Sequence, residues 1–330
     1  MNANALSRPW PRLACAALAG LLACLQARAA SPVVPEIFSP GVISASSNVN
    51  AITFAPDGNT AWFDEVAGGG STIMESHRVD GAWTPPHIAA FSGQWRDLDP
   101  AMAPDGSFIV FCSNRPAAPG GPALDMTTAD GHVRAGMGGH LWRVDRTPRG
   151  WGEPVLLPPE INDSTRLFSP SVVNGGSLYY QHPDVTSRTV HLMRAQYADG
   201  RYQRPVPVVL GPRDAGERDP AVAPDESFIV YSNRTAGQTE SRLVIAMRAA
   251  EGWRAPIDLG DAVNRDGAEG AHLGPDGRTI YIDSATSFQV AYPRTREQTQ
   301  RDLERARLWD NGNSHLWWFS LAPWLDGGAR

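Results

Sequence analysis

Carboxylates and arginines stand together just ahead of proline or alanine at separated points of this chain. Arg96, Asp97 and Asp99 precede Pro100, and Glu217, Arg218 and Asp219 precede Pro220. Arg166 and Ser169 lead into Pro170, and Glu269 lies shortly before Ala271. If a fold gathers these positions, three readings compete. The carboxylates can accept hydrogen bonds from backbone N–H groups or from arginine and so fix loops. They can offer oxygens from several loops to Ca²⁺, or bind a polar ligand; no other cofactor is expected. Two of Asp97, Asp99, Asp219 and Glu269 can serve as the acid/base pair of a glycosidase if a sugar bond fits between them. No HExxH, no GxSxG and no phosphate-binding Gly-rich loop with Lys occurs. The eight His are scattered, and His132 with His140 shares a Gly-rich stretch that reads as solvated rather than metal-bound.

What positions these residues is a repeat. "DPAMAPDGSFIVF" (99–111) and "DPAVAPDESFIVY" (219–231) differ at only three places. Aligning on the turn gives five copies, with turn residues Asp57, Asp105, Gly175, Asp225 and Asp276. In Pro-Asp-Gly, Pro presets φ, Asp bonds back to the backbone and Gly takes positive φ. An alternating strand such as "SFIVF" or "TIYI" follows, which makes a hairpin. A third strand ("HLWRVD", "VHLMRAQY", "RLVIAMRA") and an aromatic-Pro fourth ("GWGEPVLL", "RYQRPVPVVL") complete each unit. Trp83, Trp151, Tyr202 and Trp253 fall at one repeated position and read as packing between units.

Four antiparallel strands in roughly 50 residues are one blade of a β-propeller. The predicted fold is therefore all-β: five four-stranded blades, or six if an insert hides a degenerate one. The fifth copy lacks a fourth strand at the C-terminus, and "PEIFSPGVI" (35–43) can supply it and close the ring. Two inserts interrupt the grammar. Residues 116–139 are Pro/Gly-rich without strand patterning. Residues 285–314 contain a predicted helix, Thr295 to Asp310, with Leu303, Ala306 and Trp309 on one stripe and "NGN" as its stop. In this geometry the starts of the first strands converge on one mouth of the central channel, so the residues named above become neighbours. "SNR" recurs at 113–115 and 232–234 and reads as an Arg pairing with the next blade; the extra Cys112 in the first copy suggests a bulge or a longer strand.

"PDGSFIVFCSNR" and "PDESFIVYSNR" resemble the Pro-Asp repeats of TolB-like, WD40-like β-propeller proteins, over about Pro35 to Trp324. The resemblance implies the fold. It implies little about activity, because such propellers serve as interaction platforms, sensor domains and accessory domains of peptidases. TolB itself carries a further N-terminal α/β domain and six blades, so neither its envelope role nor any catalytic residue is transferred.

The N-terminus reads as an export signal, with Arg8 and Arg12 ahead of the apolar run "LACAALAGLLACL". Cleavage after Ala29 gives a periplasmic protein, a single propeller domain from residue 30 to 330. A lipobox reading of "LLAC" instead makes Cys24 a lipid anchor, the one expected membrane contact. The chain carries a formal charge of −6, and the first 29 residues hold three Arg and no acid. The remainder is more acidic still, which excludes non-specific nucleic-acid binding. Cys112 is the one thiol outside the export segment, so no internal disulfide is expected, and its apolar strand setting reads as inert. The expected protein is a monomer that binds a protein, peptide or glycan at the acidic mouth, with the carbohydrate-active enzyme as the alternative.

Overall fold

The computed structural model describes Met1 and residues 33–327, apart from 129, 185–188, 212–215, 235–239 and 288. Both export readings, cleavage after Ala29 and lipidation of Cys24, lie outside the described residues.

Five antiparallel sheets form five propeller blades. Their innermost strands are Asn48–Phe54, Asp97–Met102, Phe168–Val172, Gly216–Val222 and Glu269–Leu273. Each runs into a turn, Pro-Asp in four blades and Asn174–Gly176 in blade three, and pairs with a second strand, such as Phe108–Ser113 or Phe228–Arg234. At three of the turns (Asp57, Asp105 and Asp225) the Asp carboxylate accepts the N–H two residues on at 3.0 Å, the Asx bond expected of that chemistry. Asp276 does the same at 2.9 Å. The outer strands are short, as in Val155–Leu156 and Ile257–Asp258.

The fifth blade closes as the sequence predicts. Glu36–Ile37 pairs with Asn311–Ser320, Glu36 opposite Trp318. Glu36–Ile37 thereby becomes the outermost strand of the sheet that holds the last strand, which closes the ring. The core lies between blades. One cluster joins Trp62 and Ile73 of blade one to Ile109, Phe111 and Trp142 of blade two. Another joins Val230 and Ile245 of blade four to Ile280 and Phe319 of blade five. The repeated aromatic packs as read: Trp151 stacks edge-on against Trp62 at 5.5 Å and Phe91 at 5.6 Å.

Three expectations need correction. The first insert does contain strands, a small hairpin of Met126–Thr127 and Val133–Arg134; two-residue strands are too short to show alternation. Cys112 makes no bulge, since Phe108–Ser113 pairs without interruption against His140–Thr147. The extra residue instead shifts the "SNR" motif along the strand: Asp97 faces Ser113, whereas Glu217 faces Asn233. The two tripeptides are therefore not equivalent, and Arg115 pairs within its own blade, with Asp97.

The predicted helix is present as Arg296–Leu308, with Thr295 and Gln298 forming a reciprocal capping box. It is held mainly at its end, where Trp309 packs edge-on against Trp317 at 5.4 Å. Leu303 and Leu308 stay exposed. Both inserts connect a second strand to a third, so they rise from the edge where the first strands begin.

Candidate functional site

Every innermost strand breaks its register at the same place. The shifts fall between Asn50 and Ile52, Leu98 and Ala101, Phe168 and Ser171, Arg218 and Ala221, and Glu269 and Ala271. In each bulge one residue is left-handed: Ala51 (φ 40°), Asp99 (53°), Ser169 (49°), Asp219 (50°) and Gly270 (59°). Pro follows in blades two, three and four. Pro can sit here because the strand edge at the channel needs no N–H donor.

The bulges free backbone N–H groups, and carboxylates of neighbouring blades take them up. Asp64, on the second strand of blade one, accepts the Asp99 N–H with both oxygens at 3.1 Å. Asp99 accepts the Ser169 N–H at 2.9 Å. The Ser169 hydroxyl donates to Asp219 at 2.6 Å. Asp283, on the second strand of blade five, accepts the Ala51 N–H at 3.3 Å. Carboxylates thus stitch blade five to one, one to two, two to three and three to four around the channel.

Gly270 shows how tightly this is built. A Cβ there would stand 2.2 Å from an Asp283 oxygen, on backbone that already has positive φ. Gly270→Ala is expected to cost about 2–4 kcal/mol, combining left-handed strain with displacement of Asp283 from Ala51. Urea denaturation measures it; a loss below about 0.5 kcal/mol would mean that Asp283 is free to move away.

Crowding like charges raises their proton affinity. Burial pushes Asp64 well above the usual carboxylate range, and the Asp99 charge adds to this. Burial likewise lifts Asp99 to about 6, with the Asp219 charge contributing and the Ser169 N–H opposing. Asp283 is raised, again chiefly by burial. Burial works against a charge on His272, but Asp283, Asp99 and Asp219 outweigh it and hold its pKa above normal. Arg96 Nη1, Arg218 Nε and His272 Nε2 are buried at this level without a hydrogen-bond partner.

Beyond the bulges the channel changes character. Towards the turns it opens into a cavity of about 320 Å³, lined by His272 and by prolines that include Pro56, Pro104, Pro224 and Pro275.

Of the residues predicted from sequence, Asp99 and Asp219 are therefore on the channel. Arg96 lies beside Asp64 and Asp99, where it lowers the proton affinity of both. Arg218 opposes the rise in the Glu269 pKa, which the protein packed around its carboxyl and the Asp219 and Asp283 charges produce. Arg166 marks the start of blade three, where its backbone bridges Gly139 of the first insert. Asp97 and Glu217 do not reach the channel. Asp97 is fully buried in blade two among Ser92, Ser113 and Arg115. Glu217 turns into a cleft of about 330 Å³ between blades three and four, with His191 at 3.4 Å. Burial raises its pKa and His191 opposes the rise. Among the described residues, no three of the channel carboxylates and His272 bring ligand atoms within 4.8 Å of one another. Asp64, Asp99 and Asp283 are turned to backbone N–H groups and Asp219 to the Ser169 hydroxyl.

Sequence reasoning missed Asp64, Asp283 and His272. The first two occupy one repeated place, opposite the residue before the bulge, where the other blades have Cys112, Gln181 and Ser232. Comparing second strands as well as first would have found them. Cys112 fills that place in blade two as an inert group: its buried thiol donates to the Leu167 carbonyl at 3.1 Å, and burial pushes its pKa up.

No protein-family model matches this chain, and no curated protein matches it in sequence. Solved structures similar to it include TolB from Acinetobacter baumannii (11% identity, TM-score 0.47), over 77% of this chain and 58% of that one. The chain thus spans less than two thirds of that TolB. Another is the endo-arabinase from Bacteroides thetaiotaomicron, at 10% identity and TM-score 0.48, over 86% of this chain and 97% of that one. A third is the catalytic domain of a GH62 α-L-arabinofuranosidase from Coprinopsis cinerea, at 10% identity and TM-score 0.47, over 88% and 97%. No helix among the described residues is long and apolar enough to cross a membrane.

Proposed function

We propose that this protein is a non-catalytic exported binding module, which engages a protein, peptide or envelope polymer at the acidic end of its channel. One observation carries the reading. The channel carboxylates Asp64, Asp99 and Asp283 are committed to backbone N–H groups of the next blade, and Asp219 to the Ser169 hydroxyl. A hydrolase needs two carboxyl groups facing each other across an open, substrate-sized gap. Carboxylates that fasten blades together cannot leave those bonds without loosening the ring. Polar side chains remain for a ligand at the rim: the exposed Glu269 and the partly exposed Arg96 and Arg218.

The test is capture from envelope extract and binding on a glycan array, using wild type beside the double variant Arg218→Ala/Glu269→Gln. A ligand retained by wild type and lost by the variant is the expected result. Equal retention would place binding elsewhere on the molecule.

A second reading has one observation in its favour. Asp99, at about 6, holds a proton in the range that suits a general acid. If wild type cleaves polysaccharides or aryl glycosides and Asp99→Asn abolishes the cleavage, the chain is a carbohydrate-active enzyme and the binding-module reading fails.

A further inference from the structure

Far from the channel, the outer strands of blade one carry a second cluster. The third strand, Gly70–Val79, places Glu75 and His77 two residues apart, on one side of the sheet. The short outer strand His87–Ile88 places His87 directly opposite Glu75. Alternation and register thus bring three side chains to one spot. Glu75 Oε1 and His77 Nε2 are 3.1 Å apart, and the ligand atoms of all three residues lie within 4.8 Å of one another.

The far side of two of these groups is already fixed. The Trp62 indole N–H donates to Glu75 Oε2 at 2.9 Å, from a ring that is completely buried. Thr60 Oγ1 contacts His77 Nδ1 at 3.2 Å. Both contacts turn the remaining ligand atoms, Oε1 and Nε2, towards the same point, as outer-shell partners do around bound metals. His87 is exposed and nearly half of the His77 side chain is open to solvent, so an ion can reach the spot.

We propose that Glu75, His77 and His87 form a binding site for a divalent transition-metal ion of the zinc type. Two imidazoles and a carboxylate suit Zn²⁺ rather than Ca²⁺. Ligand atoms around a tetrahedral Zn²⁺ with bonds of about 2.1 Å stand roughly 3.4 Å apart, so a small rotation of the exposed His87 ring completes the set. Three protein ligands leave the fourth position open to water or to a donor from a binding partner. The site is independent of the channel, and its test does not depend on what the channel binds.

Calorimetric titration of tag-free protein with Zn²⁺ is the experiment. One ion per chain is expected, with no comparable heat from Ca²⁺. His77→Ala and His87→Ala are exposed changes that leave the core intact, and each is expected to weaken binding by about tenfold or more. Thr60→Val touches no ion but frees the His77 ring, and is expected to weaken Zn²⁺ binding by roughly 10–100-fold. The proposal is overturned if wild type takes up no Zn²⁺, if Ca²⁺ binds as well, or if Zn²⁺ binding survives both histidine substitutions. Any of these outcomes would leave the trio as a hydrogen-bonded surface cluster.

Discussion

Arg115→Met is expected to lower the unfolding free energy by about 3–5 kcal/mol, among the largest effects of any single substitution in the fold. Asp97 has no exposed side-chain surface and Arg115 only 11%. The guanidinium donates to both carboxylate oxygens, Nη2 to Oδ2 at 3.0 Å and Nε to Oδ1 at 3.2 Å. It also ties down the Phe91 carbonyl at 2.6 Å and lies over the Phe111 ring at 5.1 Å. Methionine keeps much of the packing volume but strands a buried carboxylate and a buried carbonyl. Burial already raises the pKa of Asp97, with Arg115 the main opposing charge. Without Arg115 the folded protein binds a proton there more readily than the unfolded chain does. The deficit should therefore be largest near neutral pH and shrink as pH falls, because the variant gains stability by taking up that proton. Adding Asp97→Leu to Arg115→Met removes the stranded charge and should recover at least half of the loss. Guanidinium denaturation of both variants at two pH values measures this. A loss below about 1 kcal/mol, or one that grows towards acid pH, would show that the pair does not anchor blade two.

This pair also shows where the sequence stops being readable. The turn tripeptides, the alternating second strands and the closing N-terminal strand follow from local chemistry, and the structure agrees with them. The side chains of the first strands follow from local chemistry only up to the bulge. Period-two alternation puts Asp97 and Asp99 on one side. The left-handed residue at 99 reverses that: Asp97 joins Ser92 and Arg115, while Asp99 reaches Ser169 of the next blade. A residue before Pro normally stays extended, so nothing local announces φ of 53° at Asp99. The signal is visible only across copies, as Asp-Pro, Ser-Pro and Asp-Pro at one repeated place. Asp64 and Asp283 were hidden for a different reason. Their partners, the N–H groups of Asp99 and Ala51, belong to other blades, and no sequence spacing encodes a contact between residues 51 and 283.

Those cross-blade contacts give the second large effect. Asp99→Asn is expected to stabilise the protein at pH 7 and to weaken the rise in its stability between pH 7 and pH 5. The Asn side-chain oxygen can still accept the Ser169 N–H, but a negative charge leaves the crowd formed with Asp64 and Asp219. A carboxyl moved from 3.8 to about 6 is linked to at most about 3 kcal/mol, and the partial exposure of Asp99 brings the expected gain down to about 1–2 kcal/mol. The sign follows from proton counting. Between pH 4 and pH 6 the folded wild type holds a proton on Asp99 that the unfolded chain has released. Wild-type stability therefore rises as pH falls from 7 towards 5 and is lost as pH climbs through 6. His272 acts in the same direction, since its raised pKa stabilises the fold below that value. The turn carboxylates Asp105, Asp225 and Asp276 have lowered pKa values, so they oppose the trend only at more acid pH. Denaturation curves from pH 5 to pH 7.5 decide the matter. An Asp99→Asn profile parallel to the wild-type one would mean that Asp99 is ionised throughout. The same proton bears on binding: a cationic ligand at the channel should gain affinity as pH rises through 6, and Asp99→Asn should remove that gain while leaving the ring closed.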